Sequence, residues 1–302
     1  MDADPLDLSS EELRAFTLKR DGPGLLRLAS HVVVAVITGT AVMTARGTIL
    51  VAPALILHGI VVTFLFCPLH ESVHRTAFRT PWLNWLAGVI GGTVIVLPPR
   101  FFRYFHFAHH RHTQIPGDDP ELLTPKPTSW AGYICVLSGL EYWRRTVGGL
   151  MRRSLGQIEL AYVPVSRRAS VVAEARWFVA FYAVLAGLSI GFGKDWALWL
   201  WFYPALLGQP FLRAYLLAEH WGCPSVADKW VNTRSTVSNP FVRWLAWNMP
   251  YHAEHHAHAS VPFHALPALS ERYTEKRKAV SLGYAVFHGS EVPNLIRHGN
   301  GI

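Results

Sequence analysis

The chain has 302 residues, of which 51% are hydrophobic and only 16% are charged. Because soluble domains carry about 25% charged residues, this composition indicates that much of the surface lies in lipid, and it excludes disordered, collagen-like and coiled-coil proteins. The formal net charge of +8 would suggest nucleic acid as a partner of a soluble protein. In an apolar chain a membrane surface explains it better, so we expect no nucleic-acid partner.

The predicted elements begin with a short helix, because Ser9 and Glu12 have the S-x-x-E spacing of a capping box. We expect no cleavable signal peptide, since the first apolar stretch comes too late in the chain. Residues 28–45 and 49–69 are each long and apolar enough to span a bilayer. The short turn between them predicts a helical hairpin, and residues 177–192 and 196–212 predict a second one.

Residues 82–98 form a third apolar region that is too short to span the bilayer comfortably. At about 1.5 Å per residue it covers roughly 25 Å, and a crossing would separate His70 from His106. We therefore predict an embedded helix that does not span, with a bend near Pro98 and Pro99. Residues 130–153 are basic and contain Trp, which predicts an interfacial helix pair.

Basic residues are concentrated outside the two hairpin turns, which fixes the predicted orientation. By the positive-inside rule both termini are cytoplasmic, as is a helical cap of residues 70–176 and 213–302. The fold class predicted is thus an all-α integral membrane protein, with four transmembrane helices in two hairpins, interfacial helices, and a cap that holds a two-metal site. We expect residues 1–302 to form one domain. If the source is bacterial, we expect the protein to lie in the inner membrane.

Histidines form three clusters with the spacing of metal ligands. His70 and His74 are four residues apart, so a helix places both rings on one face. Two further clusters have the spacing H-x-x-H-H. These eight residues are His70, His74, His106, His109, His110, His252, His255 and His256.

His220 is a ninth candidate, at the inner end of the second predicted hairpin. Nine imidazoles are too many for one metal and suit two, although ligand type alone does not choose among iron, copper and zinc. Carboxylates beside the clusters could orient the rings through their second nitrogens, and the candidates are Glu71, Asp118, Asp119, Glu219 and Glu254. Asp118 also fits a simple turn with Asp119, and His112 fits a role beside the metal site or at the surface.

Two other functions fit part of this pattern. In an intramembrane zinc peptidase, His70 and His74 would bind zinc and Glu71 would be the general base. Because such a site needs three protein ligands, this alternative leaves six of the nine histidines unexplained. A membrane transporter or metal-binding protein would be expected to carry its histidines inside the spans, and the clustering at one face argues against it. The three cysteines, Cys67, Cys135 and Cys223, have no paired spacing.

The order H-x-x-x-H, H-x-x-H-H and N-x-x-x-H-x-x-H-H, with two hairpins and His220 between the clusters, resembles the membrane fatty acid desaturase superfamily of histidine-rich di-iron enzymes. The resemblance extends over about residues 28–275. It implies two iron ions held by the nine histidines, O₂ as co-substrate, and Asn248 beside the third cluster. It also implies hydrogen abstraction from an unactivated C–H bond of a fatty acyl chain or related amphiphile.

The resemblance leaves the product open, because the same site in this superfamily serves desaturases and hydroxylases or ketolases of lipids, alkanes or carotenoids. The resemblance also shows a departure. In animal acyl-CoA desaturases an Asn one turn before the residue matching His220 holds a metal-bound water, whereas this chain has Leu216 at that position. Glu219 is a possible substitute for that Asn. The chain has no His-Pro-Gly-Gly haem-binding sequence. A separate electron donor, a ferredoxin or similar carrier with its reductase, is therefore expected.

Overall fold

The computed structural model describes residues 8–298 and is almost entirely helical. Within that range the only sheet is a parallel pair of two-residue strands, β1 (Ser235–Thr236) and β2 (Val280–Ser281). The helices are, in chain order, α1 (Ser10–Phe16), α2 (Asp21–Ala45), α3 (Val51–Thr63), α4 (Phe66–His74), α5 (Pro81–Ile95), α6 (Pro99–His112), α7 (Trp130–Ser138), α8 (Leu140–Ser154), α9 (Val165–Gly191), α10 (Tyr203–His220), α11 (Lys229–Asn232), α12 (Pro240–Leu245), α13 (His252–Ala257), α14 (Leu266–Arg272), α15 (Tyr284–Val286) and α16 (Val292–His298). A 3₁₀ turn covers Pro120–Leu123, and π-helical turns cover Leu198–Phe202 and Phe287–Glu291.

Three helical segments among the described residues are long and apolar enough to cross a membrane. They are Ser10–Ala45, Val51–His74 and Val165–Gly191. The first begins with the predicted capping box, in which Ser9 and Glu12 each accept a hydrogen bond from the other's backbone N–H. The apolar character of three of the four predicted spans is thereby confirmed.

The fourth predicted span, residues 196–212, differs from the other three. It falls on the π turn Leu198–Phe202 and on α10, which together run without a break to His220. This helix is not among the segments apolar enough to span, because its second half carries Gln209, Arg213 and Glu219. The four-span arrangement and the cytoplasmic position of the termini stay predictions, and residues 1–7 and 299–302 lie outside the described part of the chain.

The predicted bend after the third apolar region is present. Helices α5 and α6 are separated by a short break and enclose an angle of 92°. Val96 ends α5 in the left-handed region with φ of 59°, and prolines at 98 and 99 start α6 in a new direction. The ring centroids of His70 and His106 are 4.4 Å apart, so the chain between them leaves this region and returns to it.

Close backbone contact and buried polar contacts hold the long helices together. A Cβ atom on Gly208 of α10 would lie 2.1 Å from the carbonyl oxygen of Gly59 on α3, so only glycine permits this approach. Nε2 of buried His31 on α2 lies 2.7 Å from the carbonyl oxygen of Val61 on α3. At the hairpin turns, Arg46 Nη1 donates to Asp195 Oδ1 over 3.1 Å, which joins the two hairpins at their tips.

The largest apolar core packs against the region that carries the histidines. It joins α4 and α10 to the segment 244–273, and its fully buried members include Phe78, Leu212, Trp247 and Leu266. The predicted helix pair at 130–153 is present as α7 and α8, which meet at Gly139. The histidine clusters on α4, α6, α10 and α13 are therefore carried by helices with fixed packing partners.

Candidate metal centre

Five histidines from three helices form the first group. Their ring nitrogens all lie within 4.8 Å of one another. The two pairs spaced i, i+4 on α4 and α6 face each other, since Nε2 of His106 lies 2.8 Å from Nε2 of His74 and 3.0 Å from Nε2 of His110. The members of this five-histidine group are His70, His74, His106, His110 and His255.

Three further histidines form a second group with the same closeness. His109, His220 and His256 also have ring nitrogens within 4.8 Å of one another. His252 adjoins them, with its Nε2 3.2 Å from Nε2 of His220. We call these four residues the His220 group. The structure thus brings all nine sequence-predicted histidines together, and α6 and α13 each contribute rings to both groups.

The outer nitrogens of three rings in the His220 group face hydrogen-bond acceptors. Nδ1 of His109 lies 3.0 Å from Oδ1 of Asp119, and Nδ1 of His220 lies 3.3 Å from the carbonyl oxygen of Asn232. Nδ1 of His256 lies 3.1 Å from Oγ1 of Thr113, whose own proton goes to the carbonyl oxygen of His109. Each Nδ1 therefore carries a proton, and each Nε2 lone pair points inward.

These inward nitrogens have no proton to share. Nε2 of His109 lies 3.2 Å from Nε2 of His220, so two lone pairs face each other in a buried space. In the five-histidine group, neither ring nitrogen of His70 or His255 has a hydrogen-bond partner. Buried polar atoms without partners are costly, and a cation between them would satisfy them.

Burial also keeps the rings in the form that binds metals. It lowers the pKa of His220 and of His255 to about 3, and nearby His109 adds to the effect. Burial likewise lowers the pKa of His252 and His256 well below the usual range. Neutral imidazoles are good ligands for transition metals. The two groups could each hold a metal ion.

The residues expected beside the site take different places. Asp118 does not reach the clusters, because its largely exposed side chain has its Oδ2 3.9 Å from Nδ1 of half-exposed His112. Its neighbour Asp119 is the carboxylate that holds His109, and it is fixed by the backbone N–H groups of Gln114 and Glu121. Of these two adjacent candidates, Asp119 contacts the histidines and Asp118 does not, so the expectation for Asp118 is wrong. His112 lies at the surface side.

Glu71 and Asn248 are engaged away from the rings. Oε2 of Glu71 accepts a hydrogen bond from Thr76 Oγ1 over 2.7 Å and one from the backbone N–H of Phe263 over 3.3 Å. Asn248 donates to the carbonyl oxygen of Phe263 over 3.0 Å. Both residues tie the histidine helices to the segment around Phe263. The other carboxylate oxygen of Glu71, Oε1, is buried without a hydrogen-bond partner. A zinc peptidase site with three ligands would leave six of the nine gathered histidines unused, and this argues against that alternative.

Two carboxylates do face the His220 group, and one was not foreseen. Oε2 of Glu219 lies 3.5 Å from Nε2 of His252, and Oε2 of Glu121 lies 3.5 Å from Nε2 of His109. Burial, followed by the charge of Glu121, raises the pKa of Glu219 well above its usual range. Although burial opposes it, Lys126 at 2.7 Å holds the pKa of Glu121 well below its usual range. Only its position two residues after Asp119 could have pointed to Glu121.

Comparison with known proteins agrees with this geometry. The sequence model of the fatty acid desaturase family matches residues 47–288. The chain belongs to the fatty acid desaturase family. It is also similar to an sn-1 oleoyl-lipid 12-desaturase of Picosynechococcus sp., with 24% identity over 242 residues that cover 72% of this chain and 67% of the relative.

The matched region contains both histidine groups and two of the three segments that could span a membrane, Val51–His74 and Val165–Gly191. The expected membership of the desaturase superfamily is thereby confirmed. As a family member, the protein is a membrane-associated oxidoreductase of lipid metabolism whose histidines could hold metal.

A cavity of about 670 Å³ reaches the histidines of this desaturase family member. It lies along α6, where Phe101, Phe102 and Phe105 precede His106 and His109 on the cavity wall. Leu216 also lines it. A mostly apolar wall that ends at buried imidazoles suits an apolar chain presented to a metal site.

Proposed function

We propose that the protein is an O₂-dependent di-iron desaturase, which introduces a double bond into a fatty acyl chain or a related amphiphile by hydrogen abstraction. One observation carries the proposal. Nine histidines, seven of them buried and two partly buried, form two adjoining groups, and a largely apolar cavity leads to both groups. Both ring nitrogens of His70 and His255, and Nε2 of His256, have no hydrogen-bond partner. Family membership supplies the reaction class.

The donor set fits two metal ions. The five-histidine group would hold one ion and the His220 group the other, with imidazole as the common ligand. Iron, when bound at these positions, would supply reductive activation of O₂. No role in that chemistry is assigned to Glu71, and Asn248 and Glu71 act by fixing the position of the ligand helices.

The protein's own residues position the reactants. Asp119, Thr113 and Asn232 fix the ring orientation of three ligands, which is a condition for reproducible placement of a C–H bond. The phenylalanines of α6 exclude water from the cavity next to the histidines. Desaturation requires that two adjacent carbons of the substrate be placed in turn near the same metal site. The shape of the phenylalanine wall of α6 therefore affects whether the product is an alkene or an alcohol.

Electrons must come from another protein. We propose a ferredoxin or similar small carrier with its reductase. The apolar helices support an integral membrane location, and we propose that the metal site and the basic cap segments face the cytoplasm. The apolar substrate would then enter from the bilayer without crossing water.

The deciding experiment measures metal per chain on protein purified in detergent after expression with iron, by plasma emission spectrometry. Close to two irons per chain is the expected result. A single zinc would contradict the proposal. Analysis of host lipids then separates the products, because new double bonds support desaturation and new hydroxyl or keto groups support the hydroxylase or ketolase alternative.

A further inference from the structure

Arg153 is a buried cation that the proposed chemistry does not use. It belongs to α8, is only 6% exposed, and lines the same cavity as the histidines. Its Nε and Nη2 are buried without any hydrogen-bond partner. The guanidinium carbon lies 3.6 Å from the centre of the Phe101 ring, so the group is held flat against the aromatic wall.

The carboxylate whose charge acts on Arg153, Glu174, is already engaged. Glu174 of α9 accepts hydrogen bonds from the backbone N–H groups of Arg100 and Phe101, and its Oε1 lies 3.8 Å from Nε of Arg100. It therefore caps the N-terminus of α6. Burial lowers the pKa of Arg153 to about 10, which leaves the guanidinium protonated at neutral pH. A charge buried without a partner is unfavourable, so an anion from outside the protein would be stabilised here.

The local backbone makes room for this guanidinium. A Cβ atom on Gly149, one turn earlier on α8, would lie 2.8 Å from Nη1 of Arg153. Gly149 also lines the cavity, together with Gln157 and Tyr162. The pocket around Arg153 is thus polar, in contrast to the wall formed by Phe102 and Phe105.

Helix α6 sets the distance between Arg153 and the histidines. Phe101, under the guanidinium, and His109, in the His220 group, both line the cavity and are eight residues apart, which corresponds to about 12 Å along a helix. With carbon–carbon bonds near 1.5 Å, that distance takes roughly eight to ten bonds of an extended chain. Between these two residues, α6 lines the cavity with Phe102, Phe105 and His106.

We propose that Arg153 binds an oxyanion, a carboxylate or a phosphate, at the polar end of the substrate, while the apolar chain runs along α6 to the histidines. The substrate class is then an anionic amphiphile rather than a neutral alkane, alcohol or carotenoid. This inference rests on the proposed function for the role of the histidine end. The binding step itself needs no metal.

The test measures binding to protein purified with a chelator in a maltoside detergent. Tritiated palmitate, hexadecanol of the same chain length, and palmitoyl lysophosphatidate are compared by scintillation proximity. We expect palmitate or the phosphate lipid to bind about tenfold more tightly than hexadecanol. R153Q should remove that preference and leave hexadecanol binding unchanged, and R153K should retain part of it.

Matched variants exclude a general loss of structure. Arg144→Gln removes the same charge from an exposed position on α8 and should change nothing. G149A keeps Arg153 but crowds its Nη1, so it should weaken oxyanion binding without altering hexadecanol binding. The relative affinity of palmitate and lysophosphatidate decides between a free acid and a lipid headgroup.

Equal binding of hexadecanol and both anions by the unaltered protein would overturn the proposal. So would an R153Q protein that melts normally and keeps the full preference. The metal measurement is independent of these outcomes. Protein that prefers anions through Arg153 but holds no iron would contradict the proposed function alone, and iron-loaded protein without the preference would contradict only this inference.

Discussion

The five-histidine group and the His220 group differ in what surrounds them. In the five-histidine group the rings contact mainly one another, and His70 and His255 have no hydrogen-bond partner at either nitrogen. In the His220 group the outer nitrogens of three of the four rings face Asp119, Thr113 and Asn232, and two more carboxylates lie 3.5 Å from ring nitrogens. Nδ1 of His252, the fourth ring, has no partner.

This difference teaches how each group is held in place. The five-histidine group depends on helix packing, because α4 and α6 supply two i, i+4 pairs that face each other. The rings of the His220 group are held by hydrogen bonds instead. Their partners Thr113, Asp119 and Asn232 belong to the segments that follow α6 and α10. A metal in the first group would meet neutral ligands, whereas one in the second would also meet the negative charge of Glu121.

The largest expected effect is loss of a ring from the five-histidine group. H255A should reduce desaturase activity below about 1% and lower the metal content from about two ions to about one. Activity assay and plasma emission spectrometry measure the two effects. His112→Ala, a half-exposed position on α6, should retain both. Full activity of H255A would refute the assignment of this ring as a ligand.

The next effect concerns the outer contacts of the His220 group. D119N should weaken binding of one metal by about 10- to 100-fold, because it removes the acceptor that orients His109. Titration of the chelator concentration that strips each metal measures this change. The adjacent Asp118→Asn should leave metal affinity nearly unchanged. A similar loss of affinity in both variants would contradict the assignment of Asp119 as the carboxylate that orients His109.

A smaller effect is expected from the unforeseen carboxylate. E121Q should weaken the same metal by about three- to tenfold, since it removes one negative charge near Nε2 of His109. Glu159→Gln alters an exposed carboxylate on the same cavity and serves as the control. If E121Q selectively released the metal of the five-histidine group, the comparison drawn above would be wrong.

The smallest effect concerns helix α6, which supplies histidines to both groups. Glu174 caps α6, which supplies His106 and His110 to one group and His109 to the other. E174A should lower the stability of metal-free protein by about 1–2 kcal/mol, seen as a lower melting temperature in detergent. Glu11→Ala removes an exposed carboxylate of α1 and should leave the melting temperature unchanged.

The sequence predicts most of the helices and all nine histidines, because both signals are local. Hydropathy finds α2, α3 and α9, and ring spacing on a helix predicts which histidines share a face. Hydropathy places the start of α9 at residue 177, whereas the helix begins at Val165. The first turns of α9 carry basic residues, so their hydropathy is low.

The carboxylates could not be chosen in the same way. Asp118 and Asp119 are adjacent, and the structure favours Asp119 because the backbone N–H groups of Gln114 before it and Glu121 after it fix its side chain. The contact of Thr113 with His256 joins residues far apart in the chain. Such pairings depend on tertiary packing, which local spacing does not encode.

Both groups take ligands from opposite ends of the chain, and this has a consequence for biosynthesis. His70 and His74 are made early, whereas His252, His255 and His256 are made last. Neither group can be complete until α13 has left the ribosome and closed a long loop back onto α4 and α6. Helix insertion therefore precedes completion of the centre, and a chain that stops before residue 252 would have its apolar helices but not the binding site.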